Sequence, residues 1–116
     1  MMVKKILIVD DDQEDLNTIK LILENEGFEV ILASNGAEAL EQLQTDGFNL
    51  AIIDIKMPTL SGYDLLRLLR ERVNHKIKII YASIVPEKEV DMDGIDGFIQ
   101  KPFLPETLLE IVKEAL

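Results

Sequence analysis

Residues 5–12 read Lys5-Ile6-Leu7-Ile8-Val9-Asp10-Asp11-Asp12. The first five form a run that is apolar from Ile6 onward and rich in β-branched residues, which is typical of a strand buried on both faces of a parallel sheet. Leu16, Ile19 and Leu23 then recur at helical spacing, and Gly27 ends that helix. The sequence therefore predicts a strand that leads through three aspartates into a helix.

The same alternation continues along the chain. Further strands are predicted over residues 28–33, 50–53, 77–82 and 98–100, and helices follow the second, third and fifth of the five strands. Strands that alternate with helices pair in parallel, with right-handed crossovers and helices on both sheet faces. The predicted fold class is α/β, with a doubly wound, five-stranded parallel sheet.

The segment between Ile84 and Gly97 breaks the pattern. Its apolar residues after Pro86 form no helical face, and acidic residues dominate it: Glu87, Glu89, Asp91, Asp93 and Asp96. We therefore expect the fourth helix to be shortened or irregular, with at most one helical turn.

Length and composition limit the possible functions. The 116 residues suit one domain spanning residues 1–116, and 22 acidic against 12 basic residues give a net charge of −10. Direct nucleic-acid binding is disfavoured, because Lys and Arg supply phosphate affinity. The chain has no cysteine and no apolar run of membrane-spanning length. These features predict a cytoplasmic domain without membrane insertion, in which His75 is a solvated loop residue.

Polar residues stand at the predicted carboxyl ends of four strands. Asp10 and Asp11 follow the first, Asp54 the third, Ser83 the fourth and Lys101 the fifth. Ligands bind beyond these ends in parallel α/β sheets. Clustered carboxylates without His or Cys select a hard cation such as Mg²⁺. With a lysine and a hydroxyl beside them, they suit phosphoryl transfer, in which a carboxylate can be the nucleophile.

These motifs resemble the response-regulator receiver domain of two-component signalling, as in single-domain chemotaxis regulators. The residues that carry the resemblance are residues 6–12, Asp54-Ile55-Lys56-Met57-Pro58 with Gly62, Ser83, and Lys101-Pro102-Phe103. The resemblance covers the whole chain and implies a flavodoxin-like sheet of order 2-1-3-4-5.

The resemblance also implies a role for each matching residue. Asp54 matches the phosphoacceptor, which takes a phosphoryl group from a phosphohistidine. Asp11 matches the direct Mg²⁺ ligand, and Asp10 matches the acid that acts on the metal through water. The backbone carbonyl of Lys56 completes that metal site. Lys101 matches the phosphate-binding lysine.

The implied switch involves Ser83 and Phe98. Ser83 fills the position of the hydroxyl that moves toward the phosphate, and Phe98 fills the position of an aromatic residue that follows it. The Lys101–Pro102 peptide bond is expected to be cis. The implied partners are a sensor histidine kinase or phosphotransfer protein, and a downstream protein or a removed output domain.

Some features depart from the family pattern. Ile84 stands where the family usually has a small residue, and Phe98 replaces the frequent tyrosine. The interval from Ser83 to Lys101 is about one helical turn short. These departures leave open an interaction module that keeps the fold but is not controlled by phosphorylation.

An enzyme is a second alternative. Asp10-x-Asp12 superficially matches the opening motif of aspartate-nucleophile phosphatases of the haloacid dehalogenase type. Gln13 and Glu14 replace the small turn residues of that motif, and the family leaves Asp54 unexplained. We therefore expect a signalling phosphoacceptor that catalyses only its own phosphorylation and dephosphorylation, and not an enzyme.

Overall fold

A computed structural model describes residues 3–45, 47–73 and 76–116 of the chain. Strands and helices alternate along most of it. The elements are β1 (Lys5–Val9), α1 (Gln13–Asn25), β2 (Glu29–Ala33), α2 (Gly36–Leu43), β3 (Leu50–Asp54), α3 (Gly62–Arg72), β4 (Lys78–Ser83), a 3-10 turn (Glu87–Glu89), β5 (Gly97–Gln100) and α4 (Pro105–Ala115). His75, predicted to be a loop residue, lies outside the described residues.

The five strands form one parallel sheet in the order β2-β1-β3-β4-β5. This confirms the predicted fold class and strand order. The order reverses next to β1, so the carboxyl ends of β1 and β3 flank the switch point where such sheets bind ligands.

Alternate residues of each central strand enter two separate apolar layers. Leu7, Val9 and Ile53 face α2 and α3, while Ile6 and Ile52 face α1 and α4. All five side chains are fully buried. The two-sided burial explains why these strands are continuous apolar runs. In α2, Ala39 is buried against the sheet, whereas Ala37 is exposed.

Side-chain caps fix where three helices begin. The carboxylate of Asp12 accepts hydrogen bonds from the backbone N–H groups of Glu14 and Asp15 at the start of α1. Asn35 caps α2 and Ser61 caps α3 in the same way. Each cap satisfies backbone donors that have no partner inside the helix.

A single 3-10 turn replaces the helix expected between β4 and β5, as the prediction of a shortened or irregular fourth helix stated. Contacts with α3 and β4 hold the segment in place. The Arg70 guanidinium donates to the carbonyl of Gly94, with 2.5 Å between Nη2 and O. Asp96 Oδ2 accepts from the backbone N–H of Ile79 at 2.8 Å. At least one of its acids therefore anchors the segment to the sheet.

None of the helices in the described ranges combines the length and the apolar character that crossing a membrane requires.

Candidate functional site

The carboxyl ends of the strands bring the predicted site residues to one edge of the sheet. Asp54 is the last residue of β3 and lies opposite Ala82 of β4. Asp10 follows β1, and its backbone N–H donates to the carbonyl of Ala33 at 3.2 Å. Lys101 follows β5, and its N–H donates to the carbonyl of Ser83 at 2.8 Å. Backbone hydrogen bonds of the sheet thus set the spacing of these residues.

Three carboxylates converge at this edge. Asp10, Asp11 and Asp54 each offer an oxygen that lies within 4.8 Å of the other two. Asp10 and Asp54 are buried, whereas Asp11 is exposed. Oxygen atoms at this spacing can occupy positions around a single octahedral Mg²⁺ ion, which keeps several waters. The donor set therefore fits a magnesium site that is open on the side of Asp11.

The ammonium of Lys101 lies against the same carboxylates. Its Nζ is 2.6 Å from Asp10 Oδ2, 2.8 Å from Asp15 Oδ2 and 4.0 Å from Asp54 Oδ2. Burial acts to lower the pKa of Lys101, but its hydrogen bonds to Asp10 and Asp15 outweigh burial and raise that pKa. The lysine is therefore held charged. Its peptide bond to Pro102 is cis, as the resemblance implies.

The carboxyl group of Asp54 is hard to ionise when no metal is bound. Burial raises its pKa to about 7, the Lys101 charge opposes this shift, and the charge and hydrogen bond of Asp10 add to it. A backbone hydrogen bond from Lys56 also favours the ionised form. The site thus needs further positive charge to keep Asp54 ionised at neutral pH.

Ser83 lies at the end of β4 and is fully buried. Its Oγ accepts a hydrogen bond from the backbone N–H of Val85 at 3.0 Å, so the hydroxyl oxygen is directed at its own loop. The amide of Gln100 donates to the carbonyls of Ser83, Ile84 and Lys101 at 3.1 to 3.3 Å. These bonds tie the loop after Ser83 to the end of β5.

Phe98 and Lys56 occupy different surroundings. Phe98 lies on β5 opposite Tyr81 and is half-buried against the apolar layer of α2 and α3. Lys56 is exposed, and it lines a cavity of about 230 Å³ together with Asp10, Asp11 and Asp54. Lys56 thus lies beside the carboxylates, whereas Phe98 lies on the sheet next to Tyr81.

Ile84 borders the opening of that cavity. It lines both the 230 Å³ cavity and an adjacent cavity of about 360 Å³, which Thr18 and Phe103 also line. Its side chain is 68% exposed. The large residue that departs from the family pattern therefore stands at the entrance to the carboxylate site.

Gly62 packs closely against the backbone of Asp54 and Ile55. Its N–H donates to the carbonyl of Ile55 at 2.8 Å. A Cβ atom at this position would lie 2.6 Å from the Asp54 carbonyl oxygen and 2.8 Å from the Ile55 Cα. Both atoms belong to the backbone, so this position accepts only glycine without displacing Asp54.

We expect Gly62→Ala to lower the free energy of unfolding by about 1–3 kcal/mol, as overpacking does. Urea denaturation measures this change. Gly97→Ala is the matched control, because its Cβ would meet only the side chains of Ile111 and Ile80, at 3.2 Å or more. Equal losses in the two variants would contradict the explanation.

Sequence reasoning missed two residues of this site. Asp15 was not among the predicted site residues, yet it contacts Lys101 across 86 residues of chain. Gln100 was assigned no role, yet it holds the loop after Ser83. Neither contact has a local sequence signal, because each depends on how distant strand ends are brought together.

The chain belongs to the response-regulator receiver family, since the sequence model of the protein family described as "Response regulator receiver domain" matches residues 6–113. It is thus a receiver domain of signalling proteins and not a conventional enzyme. Magnesium binding and phosphorylation are typical of this family.

Curated relatives include the uncharacterized transcriptional regulatory protein YkoG of Bacillus subtilis, which is 34% identical over 96% of this chain and 50% of its own length. The response regulator GtcR of Aneurinibacillus migulanus is 39% identical over 90% of this chain and 44% of its own length. The chain therefore spans about half the length of these relatives.

Solved structures show the same fold. The chemotaxis response regulator CheY4 of Vibrio cholerae has a TM-score of 0.91 at 32% identity, with 99% of this chain and 100% of that chain covered. TrrA of Thermotoga maritima, solved in complex with Mg²⁺ and BeF, has a TM-score of 0.88 at 32% identity, with 98% and 100% covered.

Proposed function

We propose that residues 1–116 form a single receiver domain in which Asp54 accepts a phosphoryl group. The observation that carries this proposal is the position of Asp54. It lies at the end of β3, with carboxylate oxygens of Asp10 and Asp11 within 4.8 Å and the ammonium of Lys101 at 4.0 Å. A nucleophilic carboxylate between a cation site and a lysine suits phosphoryl transfer.

The donor is a phosphohistidine of a sensor histidine kinase or phosphotransfer protein. An Asp54 carboxylate oxygen attacks phosphorus and forms an O–P bond, while the P–N bond to the donor imidazole breaks. The electron pair of that bond remains on the imidazole nitrogen, which takes up a proton. The Lys101 ammonium donates to a phosphoryl oxygen and offsets its charge.

A Mg²⁺ ion held by Asp11, Asp54 and the Lys56 carbonyl, and by Asp10 through water, would supply positive charge for the phosphoryl oxygens. The carboxylate cluster and the raised pKa of Asp54 support this assignment. Both observations indicate a site that lacks positive charge.

Phosphorylation adds about two negative charges next to the loop that follows Ser83. We propose that the Ser83 hydroxyl then leaves Val85 for the phosphoryl group and that Phe98 changes its packing. The altered surface acts on a downstream protein or on an attached output domain, in a cytoplasmic protein. The relatives named as transcriptional regulators support this class of output.

Intact-protein mass spectrometry tests the proposal. Acetyl phosphate with Mg²⁺ is expected to add one phosphoryl group to the wild-type chain, and excess EDTA is expected to prevent this. Hydroxylamine should remove the group, because it cleaves acyl phosphates. A chain that gains no phosphoryl group under any of these conditions would refute the proposed function.

Phosphate release separates this function from a phosphatase. A receiver domain consumes acetyl phosphate only through its own Asp54 and does not hydrolyse unrelated phosphate esters. Multiple turnovers on small phosphate esters would favour the aspartate-nucleophile phosphatase instead.

Ile84 gives specific support to the second candidate, an interaction module without phosphorylation control. If its bulk restricts access to Asp54, Ile84→Ala should speed phosphorylation by acetyl phosphate severalfold. Leu21→Ala is the control, since Leu21 is 63% exposed but lies on α1 and is absent from the described lining of the 230 Å³ cavity. An unchanged rate in Ile84→Ala would show that this side chain does not limit access.

A further inference from the structure

The Lys101 ammonium lies at unequal distances from three carboxylates. An ammonium has three N–H donors. Asp10 and Asp15 lie within hydrogen-bond distance of Nζ, at 2.6 and 2.8 Å, whereas Asp54 lies at 4.0 Å. The Lys101 side chain is only 9% exposed, so these carboxylates replace its hydration. The residue that should serve the phosphoacceptor is therefore bound to two other groups.

Asp15 stands apart from the carboxylates that could bind a metal. Asp10, Asp11 and Asp54 form the group of acids with oxygens within 4.8 Å of one another, and among the described residues this group does not include Asp15. Its position is fixed by the first turn of α1, where the backbone N–H of Asp15 donates to the Asp12 cap at 3.3 Å. Lys101 is thus the group on which Asp15 acts.

The pairing is not a loose surface contact. Asp15 is 37% exposed, but its partner is almost fully buried, and the hydrogen bond is charge-assisted on both sides. Asp15 also lines both cavities that Ile84 borders. A phosphoryl group on Asp54 would therefore compete with Asp15 for the same ammonium, inside a cavity that already holds five carboxylates.

We propose that Asp15 is a positioning residue that tethers Lys101 toward α1 and slows phosphorylation of Asp54. This inference rests on the proposed function. Before the transferring phosphoryl oxygens can use the ammonium fully, Lys101 must weaken its bond to Asp15. A neutral side chain at position 15 removes the negative charge of that competitor and leaves the bond to Asp10 in place.

Rates of phosphorylation by acetyl phosphate at saturating Mg²⁺ test the tether. Asp15→Asn is expected to raise the rate constant about three- to tenfold, as loss of one partly exposed charge-assisted contact allows. Asp15→Glu, which keeps the charge, should remain close to wild type. Asp15→Ala serves as a second neutral variant, and thermal unfolding establishes that each variant is folded.

Glu14→Gln is the matched control. Glu14 is exposed in the same turn of α1, and no contact between it and Lys101 occurs among the described residues. This variant removes the same charge from the same helix, so it measures the general effect of charge on donor approach. A rate in Asp15→Asn equal to that of Glu14→Gln, or below wild type, would overturn the tether.

A crystal structure of Asp15→Ala gives a readout that needs no phosphorylation. The alanine side chain has no oxygen that can accept from Lys101. The Lys101 Nζ is expected to approach Asp54 to about 3 Å, a hydrogen-bond distance. If the lysine keeps its present position, the tether is wrong even when wild type is phosphorylated normally. A wild-type chain that accepts no phosphoryl group refutes the proposed function instead, and the position of Lys101 still decides the tether.

Discussion

Replacement of Asp54 by alanine is expected to abolish the phosphoryl adduct that acetyl phosphate and Mg²⁺ form on the wild-type chain. Asp10 and Asp12, two other carboxylates at this edge, already have hydrogen-bond partners. Asp10 is bound to Lys101 and to the backbone N–H of Asp12, and Asp12 caps α1. Removing the one carboxylate at the end of β3 therefore removes the nucleophile. Intact mass spectrometry measures the result.

The matched control for this loss is Asp93→Ala. Asp93 is exposed in the segment between β4 and β5 and lies outside the described lining of the carboxylate cavity. This variant should form the adduct as wild type does. An adduct that persists in Asp54→Ala would place the phosphoacceptor elsewhere, and peptide mapping after borohydride reduction would locate it.

In the absence of Mg²⁺, Asp54→Asn is expected to stabilise the folded protein at pH 8. The pKa of Asp54 is about 7 in the folded chain, against an ordinary value of 3.8. Because the folded state holds the proton more tightly, wild-type stability falls as pH rises from about 4 to about 7. At 1.36 kcal/mol per pH unit the full loss is at most about 4 kcal/mol. We expect a gain of about 1–3 kcal/mol in the variant.

Urea denaturation at pH 5 and pH 8, with EDTA present, measures this effect. The advantage of Asp54→Asn should shrink at pH 5, where wild-type Asp54 is protonated in the folded state. Added Mg²⁺ should stabilise wild type more than the variant, because binding to the folded state alone adds stability. Asp93→Asn is the control. A variant that is less stable than wild type at pH 8 would contradict the explanation.

The segment between β4 and β5 shows what sequence patterns can and cannot predict. The absence of a helical apolar face correctly predicted that no full helix forms there. The pattern gave no role to the acids of this segment. In the structure, Asp96 accepts from the Ile79 N–H and Asp91 accepts from the Asp93 N–H. Part of the local acidity thus stabilises the backbone of an irregular segment.

The strand ends show that sequence patterns can place residues at one sheet edge without predicting their side-chain partners. Asp10, Asp11, Asp54, Ser83 and Lys101 could be assigned to one sheet edge because each follows a recognisable strand, and parallel strands end on the same side. The partners of each side chain could not be assigned. Lys101 was expected to serve the phosphoryl group on Asp54, but its short hydrogen bonds go to Asp10 and Asp15.

The sequence by itself determined the succession of strands and helices along the chain and the acidic residues at the sheet edge. It also indicated chemistry with a hard cation and a phosphoryl group. Apolar periodicity and strand-end residues are local signals, so they can be read without the tertiary structure. Only the tertiary structure decided that Asp15 binds Lys101, that Gln100 holds the loop after Ser83, and that Ile84 borders the cavity. The physical reason is distance along the chain. These contacts join residues that are 16 to 86 positions apart, and their geometry depends on how the helices and strands pack together.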